Sequence, residues 1–452
     1  MLAQIKIPLT ATTTDDHDRS PQPSADDDVS CLQILYSSDE DSCGLVVPLA
    51  RRTLCLGRGL LSDGSLSVSD KRLSRSHANI MWCATRQRYL LVDLNSRNGT
   101  VLNGTPTVRE VLRVGDIVRA GNTVLRFTTI GKVSTGWSSD VGSLLVGRSS
   151  ALRGSIEHLT RAAPSTISVL LLGETGTGKE LAARLVHDAS GRQGPFRAIN
   201  CAAIAPELIT AELFGHTRGA FSGADSAREG LFRSANGGTV FLDEVGELTP
   251  DQQAKLLRVL DSQRVLPVGA SAELPIDVRV VAATNQDLAA RVEDGGFRAD
   301  LYARLAGWVV RLAPLRERPD DLQPLLHHFF AQESKVRYRL HGDFFEGLAL
   351  HRWPFNVREL RSLVQRLVLL LPNGGQVTAS LLPEDWQVAP VTARPTELPP
   401  PRIEPTPEEL RRLAEELRGN VKAMAEFAGK GREQIYRWLR RYSIDPNAYR
   451  RR

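Results

Sequence analysis

The stretch VLLLGETGTGKE, residues 169 to 180, decides the fold. A short aliphatic run gives way to a loop containing Gly173, Gly176 and Gly178, then to Lys179 and a helix-forming segment. Glycines let backbone N–H groups wrap a phosphate, the lysine reaches the terminal phosphates, and the helix that follows adds its positive end. This is G-x-x-x-x-G-K in a strand–loop–helix context, the setting that makes the motif credible. The candidate nucleotide-binding residues are Gly173, Glu174, Thr175, Gly176, Thr177, Gly178, Lys179 and Glu180. Glu180 stands where Ser or Thr usually holds Mg²⁺, so the metal must find other oxygens.

Those oxygens follow in GGTVFLDE, residues 237 to 244, a buried-type strand ending in two acids. Asp243 is the candidate Mg²⁺ holder, directly or through water, and Glu244 the group that polarises the attacking water. The approach to them (Ala235, Asn236, Gly237, Gly238, Thr239, Val240, Phe241 and Leu242) joins the candidate ATP-binding set. Either motif alone leaves room for a bland reading, a glycine turn or an exposed acid pair at a strand end; the two in order point to ATP. VRVVAATN places Asn285 at another strand end, to sense the γ-phosphate. FRADLYARL supplies Arg298 and Arg304, ordinary surface residues taken alone, but finger candidates beside such a loop. WPFNVREL offers Arg358 at a helix start.

The 452 residues allow two to four domains, and 42% hydrophobic with 24% charged residues is ordinary globular composition. No window approaches the roughly 18 apolar residues of a membrane helix, so no membrane partner is expected. The five cysteines form no C-x-x-C pair, which fits a reducing cytoplasm and no zinc site. Residues 1–29 read as a disordered acidic tail. Residues 30–130 carry short β-type runs (LQILY, TLCLG, RYLLVDL, TVLRF) between turn clusters, an all-β sandwich. Residues 143–386 alternate strands and helices, an α/β domain. Seven prolines between Pro390 and Pro407 make 387–405 a semi-rigid tether. The helical segment 406–452 carries 12 Lys or Arg against 7 Asp or Glu, which favours a polyanion over a merely solvated helix face.

Residues 143–386 closely resemble the AAA+ domain of bacterial enhancer-binding proteins, activators of sigma-54 RNA polymerase, an α/β ATPase with a helical lid. The resemblance rests on GETGTGKE, NCAA, ELFGHTRGAFSGA, GGTVFLDE, AATN, FRADLYARL and WPFNVREL. It implies an ATP-hydrolysing, Mg²⁺-dependent homo-oligomer, a hexamer in action and a dimer when inactive. It makes Asn200 the partner of Glu244, Arg298 and Arg304 fingers into a neighbouring subunit, and Asn285 and Arg358 the two sensors. Glu180 is the usual residue in that family, whereas Phe355 departs from the usual glycine. The loop Gly219, Ala220, Phe221, Ser222, Gly223 and Ala224 would grip sigma-54, with Phe221 offering apolar area at low entropy cost.

The β domain resembles a forkhead-associated (FHA) module, on LGRG, LSRSHANI and DLNSRNGTVLNG. That resemblance makes Arg58, Ser74, Arg75 and Asn98 the phosphothreonine-binding residues and His77 a loop stabiliser. The ligand would be a phosphothreonine protein or the chain's own tail, where Thr12 and Thr13 each precede an Asp by three residues. The C-terminal segment resembles a Fis-type helix-turn-helix, an all-α unit reading upstream enhancer DNA through Arg432, Glu433, Gln434 and Arg437, with Ile435 and Leu439 turned inward. Together these describe a sigma-54-dependent transcriptional activator under phosphothreonine control. The alternatives are a DNA-binding regulator whose AAA+ domain assembles without engaging sigma-54, and an AAA+ remodelling or helicase enzyme.

Overall fold

The computed structural model describes residues 29–59, 64–83, 87–130, 144–221, 224–386, 407–417, 419–428 and 431–449. The expected tail before Val29, with Thr12 and Thr13, lies outside the described residues. So do the expected tether 387–405 and Ser222 and Gly223 of the expected gripping loop.

The central sheet has five parallel strands in the spatial order Phe196–Asn200, Thr239–Asp243, Arg279–Thr284, Val169–Leu172 and Trp308–Arg311. The three inner strands are the aliphatic runs visible in the sequence, because helices cover both faces of a parallel sheet and demand apolar residues throughout. All six residues of Arg279–Thr284 are buried. Phe196–Asn200 and Trp308–Arg311 are edge strands with mixed polarity, and the sequence pattern does not announce them. Parallel register aligns the C-terminal ends, pairing Asn200 with Asp243 and Leu172 with both Thr284 and Arg311.

One face of the sheet packs on a core built around Phe214, Phe232 and Leu256. The rings of Phe214 and Phe232 stack at 5.9 Å and nearly parallel, 2° apart. The other face packs on helices Ser150–Ala162 and Lys179–Asp188. A helical lid follows, formed by Leu322–Glu333, Gly342–Leu350 and Asn356–Leu370 around the buried Trp353.

The N-terminal unit is a sandwich of two sheets, one running Val46–Pro48, Val29–Tyr36, Thr123–Ile130, Ile117–Ala120, Thr100–Leu102, Thr105–Thr107 in spatial order. The other runs Ser65–Ser67, Leu54–Gly57, Ala78–Cys83, Arg88–Asp93, Arg109–Val111. Leu35, Tyr36, Ile117 and Val124, on the inner strands of the first sheet, share a core with the lid. The C-terminal unit holds helices Pro407–Glu416, Val421–Ala428 and Arg432–Arg441 around Leu410, Met424, Ile435, Trp438 and Leu439. Gly419, at φ +67°, makes the first turn with a backbone that L-residues rarely adopt.

Truncating Phe232 removes a fully buried ring from the central core. Phe232→Ala should lower stability by about 3–5 kcal/mol, read as a shift of the urea midpoint of the central domain. A loss below about 1 kcal/mol would show that the ring does not hold that core together.

Candidate functional site

The aligned strand ends gather the chemistry of the chain on one edge of the sheet, where open α/β sheets place their ligands. Gly176 and Gly178 take φ +80° and +106°, which only glycine adopts without strain, and the loop curls around the Lys179 ammonium. Lys179 is 7% exposed and donates to the carbonyls of Gly173 at 2.9 Å and Glu174 at 3.4 Å, and to Glu244 Oε1 at 3.3 Å. Glu244 sits in the left-handed region at φ +52°, a placement that costs a non-glycine residue about 1–2 kcal/mol and sends its carboxylate across the loop. Its other oxygen accepts from the backbone N–H of Asn285 at 3.1 Å.

Asn200 is the first correction. The resemblance pairs it with Glu244, but its amide donates to Asp243 Oδ2 at 3.1 Å. Direct register between the two strands puts Asn200 opposite Asp243, while the left-handed turn carries Glu244 away towards Lys179. Burial first, and the neighbouring Glu244 charge second, raise the Asp243 pKa. A half-buried carboxylate pair matched by a single ammonium is a donor set short of positive charge, and it fits a hard divalent cation. Glu180 points elsewhere: its side chain is exposed and lies 3.9 Å from Arg184. The Cys201 thiol beside this pair is pushed up to about 12, chiefly by burial, and stays protonated.

The segment from Ala235 to Leu242 does not join the site. Thr239 pairs with Arg279 at the opposite end of the sheet, one strand length from Asp243. Gly237 and Asn236 bond Asp277, and a Cβ at Gly238 would lie 2.1 Å from the Pro195 carbonyl. The glycines there serve close backbone packing, and Val240, Phe241 and Leu242 are core.

Asn285 reaches Thr175 Oγ1 at 3.4 Å. Arg358 is exposed in the first turn of its helix, with its Cβ close to Gly176. The residue of WPFNVREL most firmly tied to the loop is Asn356, which the sequence reading passed over. It is buried at φ +53°, its amide donates to the Thr175 carbonyl at 3.0 Å and Glu174 Oε2 at 3.1 Å, and its Oδ1 accepts from Leu315 N at 2.7 Å. Arg316 clamps Glu174 in two bonds of 2.6 and 2.8 Å and holds its pKa down, and buried Arg318 donates to the Thr177 carbonyl at 2.9 Å. A pocket of about 460 Å³ opens beside these residues, lined by Gly173, Glu174, Asn285 and Arg316. In WPFNVREL the arginine drew the sequence reading, whereas the asparagine at the helix start, one of the few non-glycine residues that tolerates a left-handed backbone, makes the contacts.

Arg298 is the N-cap residue of helix Ala299–Leu305 and pairs with Asp300 at 2.7 Å; Arg304, in the last turn of that helix, lies 3.4 Å from Asp261. Both are about half exposed on the surface. The loop after helix Pro206–Phe214 leaves through a short hairpin pairing Gly215 with Glu229 and His216 with Arg228. Gly219, at φ +78°, donates to the Ala224 carbonyl at 2.8 Å and closes the turn. Phe221 is 39% exposed, its ring 5.0 Å from His216, over a groove of about 450 Å³ that Thr210 and Lys255 also line.

In the β unit, Arg58 N donates to the Ser74 carbonyl at 3.0 Å, Ser74 Oγ accepts from Arg97 N at 3.1 Å, and Asn98 donates to the Arg72 carbonyl at 2.7 Å. These bonds draw three loops to one end of the sandwich, with Arg58, Arg75 and Asn98 exposed on it. Fully buried His77 ties them from beneath, accepting from Ser74 N and facing the Gly99 carbonyl. On helix Arg432–Arg441, Arg432, Glu433 and Arg437 are exposed, Gln434 is half-buried and bonds Arg437, and Ile435 and Leu439 face the core.

A parallel sheet with this loop, lysine and acid pair defines a P-loop ATPase domain. The sigma-54 interaction domain family matches residues 145–311, the AAA+ ATPase lid domain 316–398 and the FHA domain 54–121. The chain is 39% identical over 312 residues to the transcriptional regulatory protein GlrR of Escherichia coli K12, covering 68% of this chain and 69% of GlrR. It is 46% identical over 250 residues to the DNA-binding transcriptional regulator NtrC of a Bradyrhizobium strain, 54% of this chain and 52% of that one. Among solved structures, NtrX from Brucella abortus in complex with ADP superposes with a TM-score of 0.51 at 32% identity, covering 66% of this chain and 70% of NtrX. The chain belongs to the sigma-54-dependent transcriptional regulators, as an AAA+ ATPase domain joined to an FHA domain. It spans about half the length of several of the curated relatives it matches. Among the described residues, no helix is long and apolar enough to cross a membrane.

Asn356 links lid to loop through three bonds that alanine cannot make. Asn356→Ala should weaken ATP binding by roughly tenfold and cost about 1–3 kcal/mol of stability, from the buried groups it leaves unpaired. Equal ATP affinity in titrations of variant and parent would remove Asn356 from the site.

Proposed function

We propose that the chain activates transcription by sigma-54 RNA polymerase, binding upstream DNA through its C-terminal helices and converting ATP hydrolysis into movement of the Phe221 loop. The observation that carries this reading is a continuity of chain. Asn200, bonded to Asp243, is followed by a turn at Cys201–Ala203 and then by helix Pro206–Phe214, which ends at the loop. That helix is about 13 Å long and links the hydrolytic edge to the gripping tip. Its root is also held by Gln252, which donates to the Pro206 carbonyl at 2.8 Å from the helix just after Glu244.

In this mechanism the glycine loop and Lys179 bind the phosphates of ATP, and Asn285 lies where the γ-phosphate would be sensed. Glu244 accepts a proton from the attacking water, once Lys179 has turned to phosphate and released the carboxylate. Asp243 would hold Mg²⁺, which when bound neutralises charge between the terminal phosphates. Arg298 and Arg304 reach a neighbouring protomer's nucleotide in a ring, a hexamer when active, and their surface ion pairs, weak in water, are easily exchanged for phosphate. Arg432, Glu433, Gln434 and Arg437 face the major groove. Arg58, Ser74, Arg75 and Asn98 bind a phosphothreonine, supplied by another protein or by the chain's own tail, with the guanidinium and hydroxyl making charge-assisted bonds to the phosphate.

The test is ATP-dependent open-complex formation by purified sigma-54 polymerase at a supercoiled promoter carrying the chain's upstream site. Phe221→Ala should retain hydrolysis and lose promoter opening. Glu244→Gln should bind ATP, hydrolyse it roughly 10²–10⁴-fold more slowly and fail to open the promoter. Normal opening by either variant overturns the reading. Arg58→Ala should weaken binding of phosphothreonine peptides by roughly tenfold or more, measured by fluorescence anisotropy, and unchanged affinity would remove the assigned site.

A further inference from the structure

The β sandwich and the ATPase lid meet through contacts that are specific rather than incidental. Tyr36 stacks on Phe345 with ring centroids 4.9 Å apart and planes 17° apart, and its hydroxyl donates to the Leu340 carbonyl. Glu346, the one acid on the buried face of lid helix Gly342–Leu350, is 5% exposed. Its carboxylate is met entirely from the sandwich: Arg119 Nε donates at 2.6 Å and Gly104 N at 3.0 Å. The first residue of the same helix, Gly342, donates its N–H to Asn122 Oδ1, and a Cβ there would lie 2.9 Å from Asn122 Cα. Only glycine lets the two backbones approach so closely.

Two chains of bonds lead away from this joint. Inside the sandwich, Asp70, 1% exposed, accepts from Asn122 N at 2.6 Å, from Thr123 Oγ1 at 3.2 Å and from Arg72 N at 2.9 Å. Arg72 in turn receives the Asn98 amide at 2.7 Å. Asp70 therefore fixes the lid-contacting turn and the loop that carries Asn98 in one geometry. On the other side, helix Gly342–Leu350 accepts the Trp353 indole N–H at the Leu348 carbonyl, 3.0 Å, and Trp353 accepts from Asn356 N at 3.0 Å. Asn356 holds the nucleotide loop at Thr175 and Glu174.

We infer that the Arg119–Glu346 contact is a latch that couples phosphothreonine binding at the Asn98 loops to nucleotide binding at the P-loop. The inference rests on the reading of those loops as a phosphothreonine site. A ligand that moves Asn98 moves Arg72, and through Asp70 the turn seated on the lid; a nucleotide that moves Asn356 moves the same joint from the other side. Coupling between two binding sites is reciprocal, so each ligand must change the affinity of the other by the same factor.

The experiment uses the full chain and a library of phosphothreonine peptides, with affinities measured without nucleotide and with saturating ADP or a non-hydrolysable ATP analogue. The wild type should show peptide affinities differing by roughly fivefold or more between nucleotide states. Arg119→Glu should bring that ratio to near one while peptide still binds, and should also shift the affinity for a fluorescent ATP analogue measured with no peptide present. The double exchange Arg119→Glu with Glu346→Arg should restore both quantities. Peptide affinity that is the same in every nucleotide state, nucleotide affinity unmoved by Arg119→Glu, or a failure of the double exchange to restore either quantity overturns the latch. A chain that binds no phosphothreonine peptide at all instead overturns the reading of the Asn98 loops and, with it, their half of the coupling.

Discussion

A buried ammonium is the constraint on which this structure turns. Removing a charge from water is tolerated only where partners replace the water, and Lys179 has two carbonyls and one carboxylate to do so. The carbonyls of Gly173 and Glu174 point inward because Gly176 and Gly178 take backbone angles closed to other residues. The carboxylate arrives because Glu244 accepts a left-handed backbone at the end of the neighbouring acid strand. Parallel register then sets which groups surround the pair, since Asn200 lies level with Asp243, and Thr284 and Leu172 lie level with each other one residue further along. The sheet order, the loop conformation and one strained glutamate thus answer a single electrostatic demand.

The same demand makes the site two-valued. Lys179 now satisfies Glu244, and a phosphate at the loop would compete for that ammonium. Glu244 keeps one backbone partner, Asn285 N–H, so releasing the lysine frees one oxygen and leaves the other anchored. Asp243 is bonded to Asn200, which begins the segment leading to helix Pro206–Phe214. Switching elements of this kind shift between discrete arrangements because packed interiors do not deform continuously. The Phe214–Phe232 stack at the far end of that helix supplies such packing, so motion at its root would be carried as a rigid body to the hairpin.

What was legible in the sequence follows from what each residue must do alone. Gly176 and Gly178 are required by backbone angles, and aliphatic runs such as Val169–Leu172 by burial on both faces, so both show locally. The edge strands Phe196–Asn200 and Trp308–Arg311 are half-exposed and carry no such pattern. Asn356, Arg316 and Arg318 are called into the site by the lid's position over the loop, and nothing within their own windows records that. The glycine pair Gly237-Gly238 misled in the opposite direction: its neighbours Gly194 and Pro195 lie far back in the sequence, so a packing requirement resembled a phosphate-binding one. The resemblance pairs Asn200 with Glu244, whereas the structure bonds it to Asp243, because the left-handed turn at Glu244 cannot be read from an aspartate–glutamate pair.

The joint between sandwich and lid carries a related lesson about charge. Lid helix Gly342–Leu350, with the sequence GDFFEGLAL, is apolar except for Asp343 and Glu346, and an apolar residue at 346 would bury as well in a permanent interface. A buried carboxylate behaves differently. When the two surfaces are together it needs Arg119 and the Gly104 N–H in register, so it penalises every misaligned docking. When they part, water takes over both charges, and neither surface is left with a desolvated ion. The aromatic stack of Tyr36 on Phe345 supplies attraction, and the ion pair supplies alignment with little cost on separation. That combination suits a contact that opens and closes, and it explains why an acid occupies the middle of an otherwise apolar helix face.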